Sequence, residues 1–362
     1  MTGRGVGNRS RNNFDFLRFA LASLVIYTHA LFLLDKRGEI FGVLTRGQTH
    51  GGELAVYGFF GISGYLITIS WEKSAGAIDF LRKRVLRIFP GYLAMAVVCL
   101  VLIGPIGSVS GVPAFWRLQN WPEVVRHACT LHNLQLADLS YIGSSNPITV
   151  NGSTWTIRIE FECYLLVVLL GITGLLRRRA VVLFLFAGAM LMHTASTLKL
   201  PILGALPLAI PSTLLDHSTM CTYFLAGSVL ALYRTEWEPR RALVVACALA
   251  LVIASAFGGL QVVAPIAFTY LVFAFAFAPI PDLHRFARSG DLSYGLYLYG
   301  WPVQQVLIHS FAGKISATLL TLLSFLGAML LAVLSWRFVE RPALALKKAR
   351  RSIQPVVDAN RL

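Results

Sequence analysis

The sequence predicts an all-α, polytopic membrane protein with about ten transmembrane helices, and three observations lead to this fold class. The 362 residues are 56% hydrophobic and only 14% charged, whereas about one quarter of the residues in a soluble domain are charged. Apolar segments long enough to cross a core of ~30 Å, at ~1.5 Å per residue, recur about ten times. The Lys and Arg residues flank these segments, as they do in membrane proteins.

The apolar runs locate the predicted helices. They lie near residues 14–34, 54–71, 88–108, 155–176, 180–197, 218–233, 242–258, 262–280, 291–312 and 316–337. The stretch 198–217 is ambiguous, because Pro207 and Pro211 favour a broken or re-entrant segment over a further full span. We predict one membrane domain over residues 1–362, with a helical core at 10–345 and a basic cytoplasmic tail at 346–362.

The distribution of basic residues predicts the partner and the orientation. A net charge of +15 can indicate nucleic-acid binding. Because the basic residues lie beside apolar segments, the lipid bilayer is the better explanation, and we expect no nucleic-acid partner. With the N-terminus inside, the predicted cytoplasmic segments hold roughly three times as many basic residues as the external ones. Both termini are therefore expected in the cytoplasm.

Two ionisable residues in the first span are candidates for a functional site, because an intramembrane charge costs roughly 2.5–3.5 kcal/mol. Arg18 and His29 are eleven residues apart, so they share one helix face about 16 Å apart along the axis. Snorkelling to the inner headgroups is the alternative explanation for Arg18. For His29 the alternative is a hydrogen bond between helices.

Glu160, in the fourth span, is the candidate partner of His29. Both residues are predicted about 22 Å from the cytoplasmic edge, so they can lie at one depth. A carboxylate beside an imidazole orients it and raises its basicity, as a general base requires. The alternative is a structural ion pair between Glu160 and Arg158.

The predicted loop after the second span is a candidate phosphate site. Arg84 and Arg87 are three residues apart and share a face if the segment is helical. Guanidinium groups bind phosphates with two parallel hydrogen bonds. The cytoplasmic position of the loop is by itself an alternative explanation for its charge.

At these residues the chain resembles the acyltransferase-3 superfamily of bacterial membrane O-acyltransferases, which modify surface polysaccharides, O-antigens and nodulation factors. Six segments match the family's motifs in order along nearly the whole chain. They are Phe14-Asp15-Phe16-Leu17-Arg18 with His29, Phe59-Phe60-Gly61-Ile62-Ser63-Gly64-Tyr65, Arg84-x-x-Arg87-Ile88-x-Pro90, Trp155-Thr156-x-x-x-Glu160-x-x-x-Tyr164, Ser293-Tyr294-x-x-Tyr297-Leu298, and Glu340-Arg341-Pro342.

The resemblance implies a bacterial inner-membrane enzyme that transfers an acyl group, most often acetyl, from cytoplasmic acyl-coenzyme A to a carbohydrate hydroxyl. We expect His29 to be the base and Glu160 to orient it. Contacts to the coenzyme are expected from Arg18, Arg84, Arg87 and Ser63, and no metal is expected. The small residues Ser63 and Gly64 are expected to let the second helix approach the first. Whether the reaction passes through a covalent acyl-histidine stays open.

The chain also departs from the family pattern. Many members have histidine where this chain has Gly300, so any role of that histidine is absent here. Arg158 is an unusual charge within the fourth-span motif. Only about 20 polar residues follow the last span, so we do not expect transfer through a fused extracytoplasmic domain.

Two other classes of protein remain as alternatives. A transporter or flippase for a glycolipid also places ionisable residues near the membrane midplane, but the sequence shows no internal inverted repeat. A purely structural membrane subunit is a weaker alternative. Release of thiol from acetyl-coenzyme A distinguishes a transferase from both.

Overall fold

The computed structural model describes residues 12–36, 38–141, 148–199, 212–283, 286 and 290–349. Within these ranges the chain is mainly helical, with two short strands. In order, the helices are α1 Phe14–Leu33, α2 Ile40–Leu44, α3 Gly51–Glu72, α4 Ala77–Val98, α5 Val112–Leu118, α6 Trp121–Thr130, α7 Trp155–Ile172, α8 Arg179–Thr197, α9 Ser212–Leu232, α10 Arg241–Phe257, α11 Leu260–Ala276, α12 Ser293–Ser310, α13 Ala317–Ser335 and α14 Arg341–Ala349.

Short irregular elements extend or join these helices. A π-helical turn at Cys99–Ile103 and a single α-turn at Gly104–Ile106 prolong α4, and a second π-helical turn at Trp336–Glu340 joins α13 to α14. A 3-10 turn at Leu175–Arg177 precedes α8. Two short strands, β1 Gln135–Leu136 and β2 Ile148–Thr149, pair antiparallel before α7.

The helices confirm the all-α membrane fold. Each predicted span overlaps one helix, and among the described residues five are long and apolar enough to cross a membrane. These five are Phe14–Leu33, Gly51–Glu72, Ala77–Ile106, Arg179–Thr197 and Ala317–Lys347. The total of about ten spans and the cytoplasmic termini stay predictions. The ambiguous stretch 198–217 lies mostly outside the described residues, as does most of the predicted tail.

The third span begins earlier than predicted, and this corrects the assignment of Arg84 and Arg87 to a loop. Helix α4 starts at Ala77 and includes both residues. Arg and Leu favour helices, and Lys83 forms an i,i+4 ion pair of 2.5 Å with Asp79 in the first turn. The two guanidinium groups therefore project from a rigid helix, as their spacing of three residues allows.

Gly64 lies at the closest helix crossing in the described bundle, and this crossing is not the one predicted. A Cβ on Gly64 would lie 1.8 Å from the carbonyl oxygen of Phe224 in α9, and a Cβ on Gly227 would lie 1.9 Å from that of Gly61. The glycines of α3 that meet α1 most closely are instead Gly51 and Gly58, whose added Cβ atoms would lie 2.8 Å from the Leu24 side chain and 2.9 Å from the Leu21 side chain. The prediction that Gly64 packs against the first helix is thus wrong.

Gly64→Ala is therefore expected to destabilise the protein. Two backbones meet at this position, so neither can move aside for a methyl group, and overpacking of this kind costs about 1–3 kcal/mol. We expect a lower midpoint of thermal unfolding in detergent. Gly188→Ala is the control, because nothing lies within 4 Å of its added Cβ on α8. Equal midpoints for both variants would contradict the crossing.

Helix α1 is held in register by contacts at both ends. At its start, the buried side chain of Asn13 donates hydrogen bonds to the carbonyls of Phe275 and Ala278, at 2.8 and 3.1 Å, and so caps the end of α11. Farther along, the Gln304 side chain of α12 donates to the carbonyl of Ile26 at 2.7 Å. These contacts fix which face of α1 meets each neighbouring helix.

Candidate active site

A cavity of about 410 Å³ lies inside the bundle, between α1, α3, α4, α7, α12 and α14. Its size is in the range of small-molecule sites. Its lining combines an apolar wall with cationic and hydroxyl side chains. The lining residues are Arg18, Val56, Phe59, Phe60, Ser63, Leu66, Ile67, Ser70, Arg84, Arg87, Ile88, Thr156, Ile157, Glu160, Tyr164, Ser293, Tyr294, Tyr297, Leu344 and Lys347.

The cavity is strongly cationic. Arg18, Arg84, Arg87 and Lys347 line it, and Glu160 is the sole carboxylate among its described lining residues. The excess of positive charge in a partly enclosed space favours an anionic ligand. The structure therefore brings together the three arginines that the sequence predicted from two separate segments.

A carboxylate that the sequence analysis missed organises two of these arginines. Asp291 accepts a hydrogen bond from Arg87 and lies 3.5 Å from the nearest guanidinium nitrogen of Arg18. Its other oxygen accepts from Ser293 at 2.5 Å, which holds the carboxylate at the start of α12. Because one carboxylate serves two guanidinium groups, hydrogen-bond donors remain for a further anion. Its position two residues before the Ser293-Tyr294 motif was the available signal.

Arg84 keeps one buried hydrogen-bond donor without a partner in the protein. One terminal nitrogen donates to Ser70 at 3.1 Å, and the guanidinium lies over the Phe80 ring at 5.6 Å. Its buried Nε has no hydrogen-bond partner. A buried donor without a partner is costly, so a ligand in the cavity would satisfy it.

Glu160 forms the polar centre of the cavity with two hydroxyl groups. Its Oε1 accepts hydrogen bonds from Ser63 and Tyr164, each at 2.6 Å. Ser63 is 4% exposed and Tyr164 is also 4% exposed. Tyr164 is one turn after Glu160 on α7, so the helix itself aligns the pair. The structure therefore places the predicted coenzyme contact Ser63 beside the predicted catalytic residue Glu160.

The predicted pairing of Glu160 with His29 is not formed. Among the described residues, no hydrogen bond joins the two side chains, and His29 is absent from the cavity lining. The His29 ring instead meets the Trp301 ring edge to face, with 4.8 Å between centroids. The two residues were predicted at one depth in the membrane, but depth does not determine which face of each helix they occupy.

The alternative structural pair of Glu160 with Arg158 is also wrong. Arg158 donates to Glu162 at 2.9 Å and to the ring of His132. On a helix, residues 158 and 162 share a face, whereas 158 and 160 point apart. Glu160 thus remains on the cavity side of α7, and Arg158 lies on the other side.

Gly300 allows α12 to pack tightly on α1. An added Cβ would lie 2.8 Å from the Ile26 side chain. The neighbouring Tyr299 is 2% exposed and Gln304 is fully buried. In this chain the position is a packing contact, and a larger side chain there would meet the Ile26 side chain.

Comparisons with known proteins agree with this architecture. The acyltransferase domain family, acyltransferase-3, matches residues 11–337. An O-acetyl transferase of Shigella phage Sf6 is 27% identical over 347 residues, which cover 94% of this chain and 98% of the relative. Nodulation protein 10 of Rhizobium leguminosarum bv. viciae is 30% identical, with 93% and 94% covered. No solved structure matches significantly.

The apolar helices fit a membrane protein, and the family match identifies it as an enzyme rather than a structural subunit. The family match covers most of the chain, and its matched segment includes every predicted site residue. The chain belongs to the acyltransferase-3 family and is an O-acyltransferase.

Proposed function

We propose that the protein transfers an acetyl group from cytoplasmic acyl-coenzyme A to a hydroxyl of an exported carbohydrate, in a bacterial inner membrane. The supporting observation is the cavity itself, which joins four cationic side chains to the Ser63–Glu160–Tyr164 cluster. The name of one relative, an O-acetyl transferase, supports acetyl as the transferred group. The resemblance to membrane O-acyltransferases that modify surface polysaccharides implies a carbohydrate acceptor.

The shape of the cavity suits the two ends of the donor. The nucleotide phosphates of coenzyme A are anionic and would contact Arg18, Arg84, Arg87 and Lys347. The weakly polar pantetheine arm would lie along apolar side chains of α3 and α4, such as Leu66 and Ile88. The phosphates then stay at the membrane edge, where their burial costs least.

The reaction itself needs a base and a positioned thioester. The acceptor oxygen attacks the thioester carbonyl, a C–O bond forms, and the C–S bond breaks. The base takes the hydroxyl proton, and the coenzyme leaves as a thiolate that is protonated to the thiol. We assign the base to His29, and we assign to Glu160 the alignment of Ser63 and Tyr164 beside the donor.

Thiol release is the test of the proposed reaction. Purified protein in detergent is mixed with acetyl-coenzyme A and a panel of cell-surface glycans, and free thiol is measured with and without each glycan. We expect glycan-dependent release together with acetylated product by mass spectrometry. A glycolipid transporter would move its substrate across vesicles without thiol release, and that result would replace the proposed function.

The native cysteines provide a test of the proposed orientation. Cys129 is exposed on α6, whereas Cys99 and Cys163 are buried. Helix α6 lies between the third and fourth predicted spans, a segment that is external if the N-terminus is inside. A membrane-impermeant maleimide should therefore label intact cells, and Cys129→Ser should remove most of the label. Labelling of Cys129 only after permeabilisation would show that the orientation is the reverse of the predicted one. The donor cavity would then open to the opposite side of the membrane.

A further inference from the structure

A second cavity, of about 310 Å³, lies on the opposite face of α7 from the first. On α7 it contacts Trp155, Arg158 and Ile159, whereas Ile157 and Glu160 line the first cavity. One helix is therefore the common wall of both cavities. The second cavity is lined by His127, Leu131, His132, Asn133, Gln135, Trp155, Arg158, Ile159 and His217.

His127 shows that this cavity is a built polar site. The residue is 8% exposed, and its Nδ1 is buried without a hydrogen-bond partner. Its Nε2 lies 3.0 Å from a terminal nitrogen of Arg126. A buried ring nitrogen without a partner is costly to keep, so a ligand hydroxyl in the cavity would compensate for it.

His132 is held as a neutral imidazole. Arg158 donates to its Nε2, so Nδ1 must carry the ring proton and donates to Thr130 at 2.7 Å. The Thr130 hydroxyl in turn donates to the carbonyl of Arg126 at 2.6 Å. Burial lowers the pKa of His132, and the nearby Arg158 lowers it further. Burial and Arg126 likewise lower the pKa of His127.

The charge of Arg158 is already compensated within the site. Glu162 accepts from Arg158 at 2.9 Å, and its other oxygen lies 3.0 Å from the His217 ring. With the two other histidines neutral, the cavity has no excess of positive charge comparable with that of the first cavity. Its chemistry therefore suits a neutral, hydroxyl-rich ligand rather than an anion.

Unused amide donors and an aromatic face complete the lining. The Asn133 oxygen accepts from Thr154 at 2.8 Å, but no described residue accepts a hydrogen bond from its nitrogen. The exposed side chain of Gln135 has no described hydrogen bond. Trp155 is 39% exposed and offers an apolar ring with a polar edge. Planar amides, neutral imidazoles and an indole together match the alternating polar edge and apolar face of a sugar ring.

We infer that the second cavity binds a neutral sugar unit of the acceptor, adjacent to the unit that is acylated. The inference rests on the proposed function for the identity of the acceptor. Because α7 separates the two cavities, a sugar held beside Trp155 would place the neighbouring unit near the end of the helix that leads to Glu160. The cavity would thus select the acceptor while the first cavity holds the donor.

Saturation-transfer NMR on the full chain in detergent tests this site. The probes are maltotriose, cellotriose, chitotriose and mannotriose, each added to the wild-type protein and to Asn133→Ala/Gln135→Ala. Arg117→Ala is the matched control, because this residue is exposed on α5 and does not line the cavity. Acetyl-coenzyme A affinity, measured by calorimetry on the same samples, reports separately on folding and on the donor site.

We expect at least one trisaccharide to give saturation-transfer signals. The double variant should weaken its affinity by roughly tenfold or more, as for two lost hydrogen bonds, and Arg117→Ala should not. Absence of signal from all four sugars, or equal affinity in the double variant, overturns the sugar site. If the wild-type protein does not bind acetyl-coenzyme A, the proposed donor is refuted, whether or not a trisaccharide binds.

Discussion

His29→Ala is expected to reduce acyl transfer by at least ~10²-fold, which is the usual contribution of a general base. The side chain lies at the interface of α1 and α12, where its ring meets Trp301 edge to face. Removal of the ring leaves the helix backbone unchanged, so the protein should still fold. The measurement is glycan-dependent thiol release, with thermal unfolding as the check on folding.

A matched control is His309→Ala, which removes an exposed imidazole at the end of the same helix as Trp301. It contacts Ser140 at 3.1 Å and lies outside the first cavity. We expect this variant to retain near-normal transfer. Near-normal transfer in His29→Ala as well would remove His29 as the base and leave Glu160 as the candidate.

Glu160→Gln distinguishes an aligning role from a basic one. The amide keeps the shape of the side chain, and its oxygen can still accept from Ser63 and Tyr164, but its charge is lost. An aligning Glu160 predicts slower transfer with a pH profile like that of the wild type. A basic Glu160 predicts a loss of transfer as large as that expected for His29→Ala.

The sequence predicted the helices well because the bilayer imposes a simple rule on composition. Apolar runs must span a fixed thickness, so every predicted span overlaps a helix. The boundaries were less accurate where helices extend beyond the apolar run, as at Ala77–Arg87 in α4. Polar residues continue that helix, because arginine and lysine also favour helical backbone.

The contacts of the predicted site residues were harder to predict than the residues themselves. Arg18, Ser63, Arg84, Arg87 and Glu160 line one cavity, whereas the predicted base His29 does not, and the roles of all six residues stay predictions. Their contacts depend on how each helix is rotated about its axis, and a single sequence does not contain that information. For this reason the hydrogen bonds from Ser63 and Tyr164 to Glu160 were not predicted, and the pairing of Glu160 with His29 was wrong.

The sequence analysis predicted neither Lys347 as a lining residue of the first cavity nor the contact of Tyr164 with Glu160. Lys347 lies in the segment predicted as a cytoplasmic tail, yet the helix α14 that contains it lines the first cavity. The π-helical turn at Trp336–Glu340 turns the chain so that α14 packs beside α4. Tyr164 was quoted as part of a motif, but its contact with Glu160 follows from the helical repeat of four residues.

Loss of the cationic side chains is expected to weaken acetyl-coenzyme A binding. Arg84→Ala should reduce the affinity by roughly tenfold or more, because a charge-assisted hydrogen bond contributes about 1.5–3 kcal/mol. Its Nε has no partner in the protein, whereas a terminal nitrogen donates to Ser70, so thermal unfolding of the variant is measured beside its affinity. Isothermal titration calorimetry in detergent measures both the wild type and the variant. Lys73→Ala is the control, since that lysine is exposed and outside the cavity.

Arg87 requires a more careful variant, because it pairs with Asp291. Arg87→Ala alone leaves a carboxylate without its main partner, which is strongly destabilising when the pair is buried. Arg87→Ala combined with Asp291→Asn removes both charges, so a fall in affinity then reports on the lost phosphate contact.

Arg18→Ala separates the two explanations of Arg18, which are snorkelling to the headgroups and contact with the coenzyme phosphates. A snorkelling arginine predicts unchanged affinity, whereas a phosphate contact predicts a weaker complex.

Together these variants test the proposed placement of acetyl-coenzyme A in the first cavity. If the phosphates lie at the cationic side chains and the thioester lies deeper, His29→Ala should retain acetyl-coenzyme A affinity within about twofold, while the arginine variants lose it. Equal affinity across all of these proteins would refute the donor cavity even if His29 proved essential for transfer. The coenzyme would then bind elsewhere, and the positive charge around Arg18 and Arg87 would serve only to hold Asp291 and the start of α12.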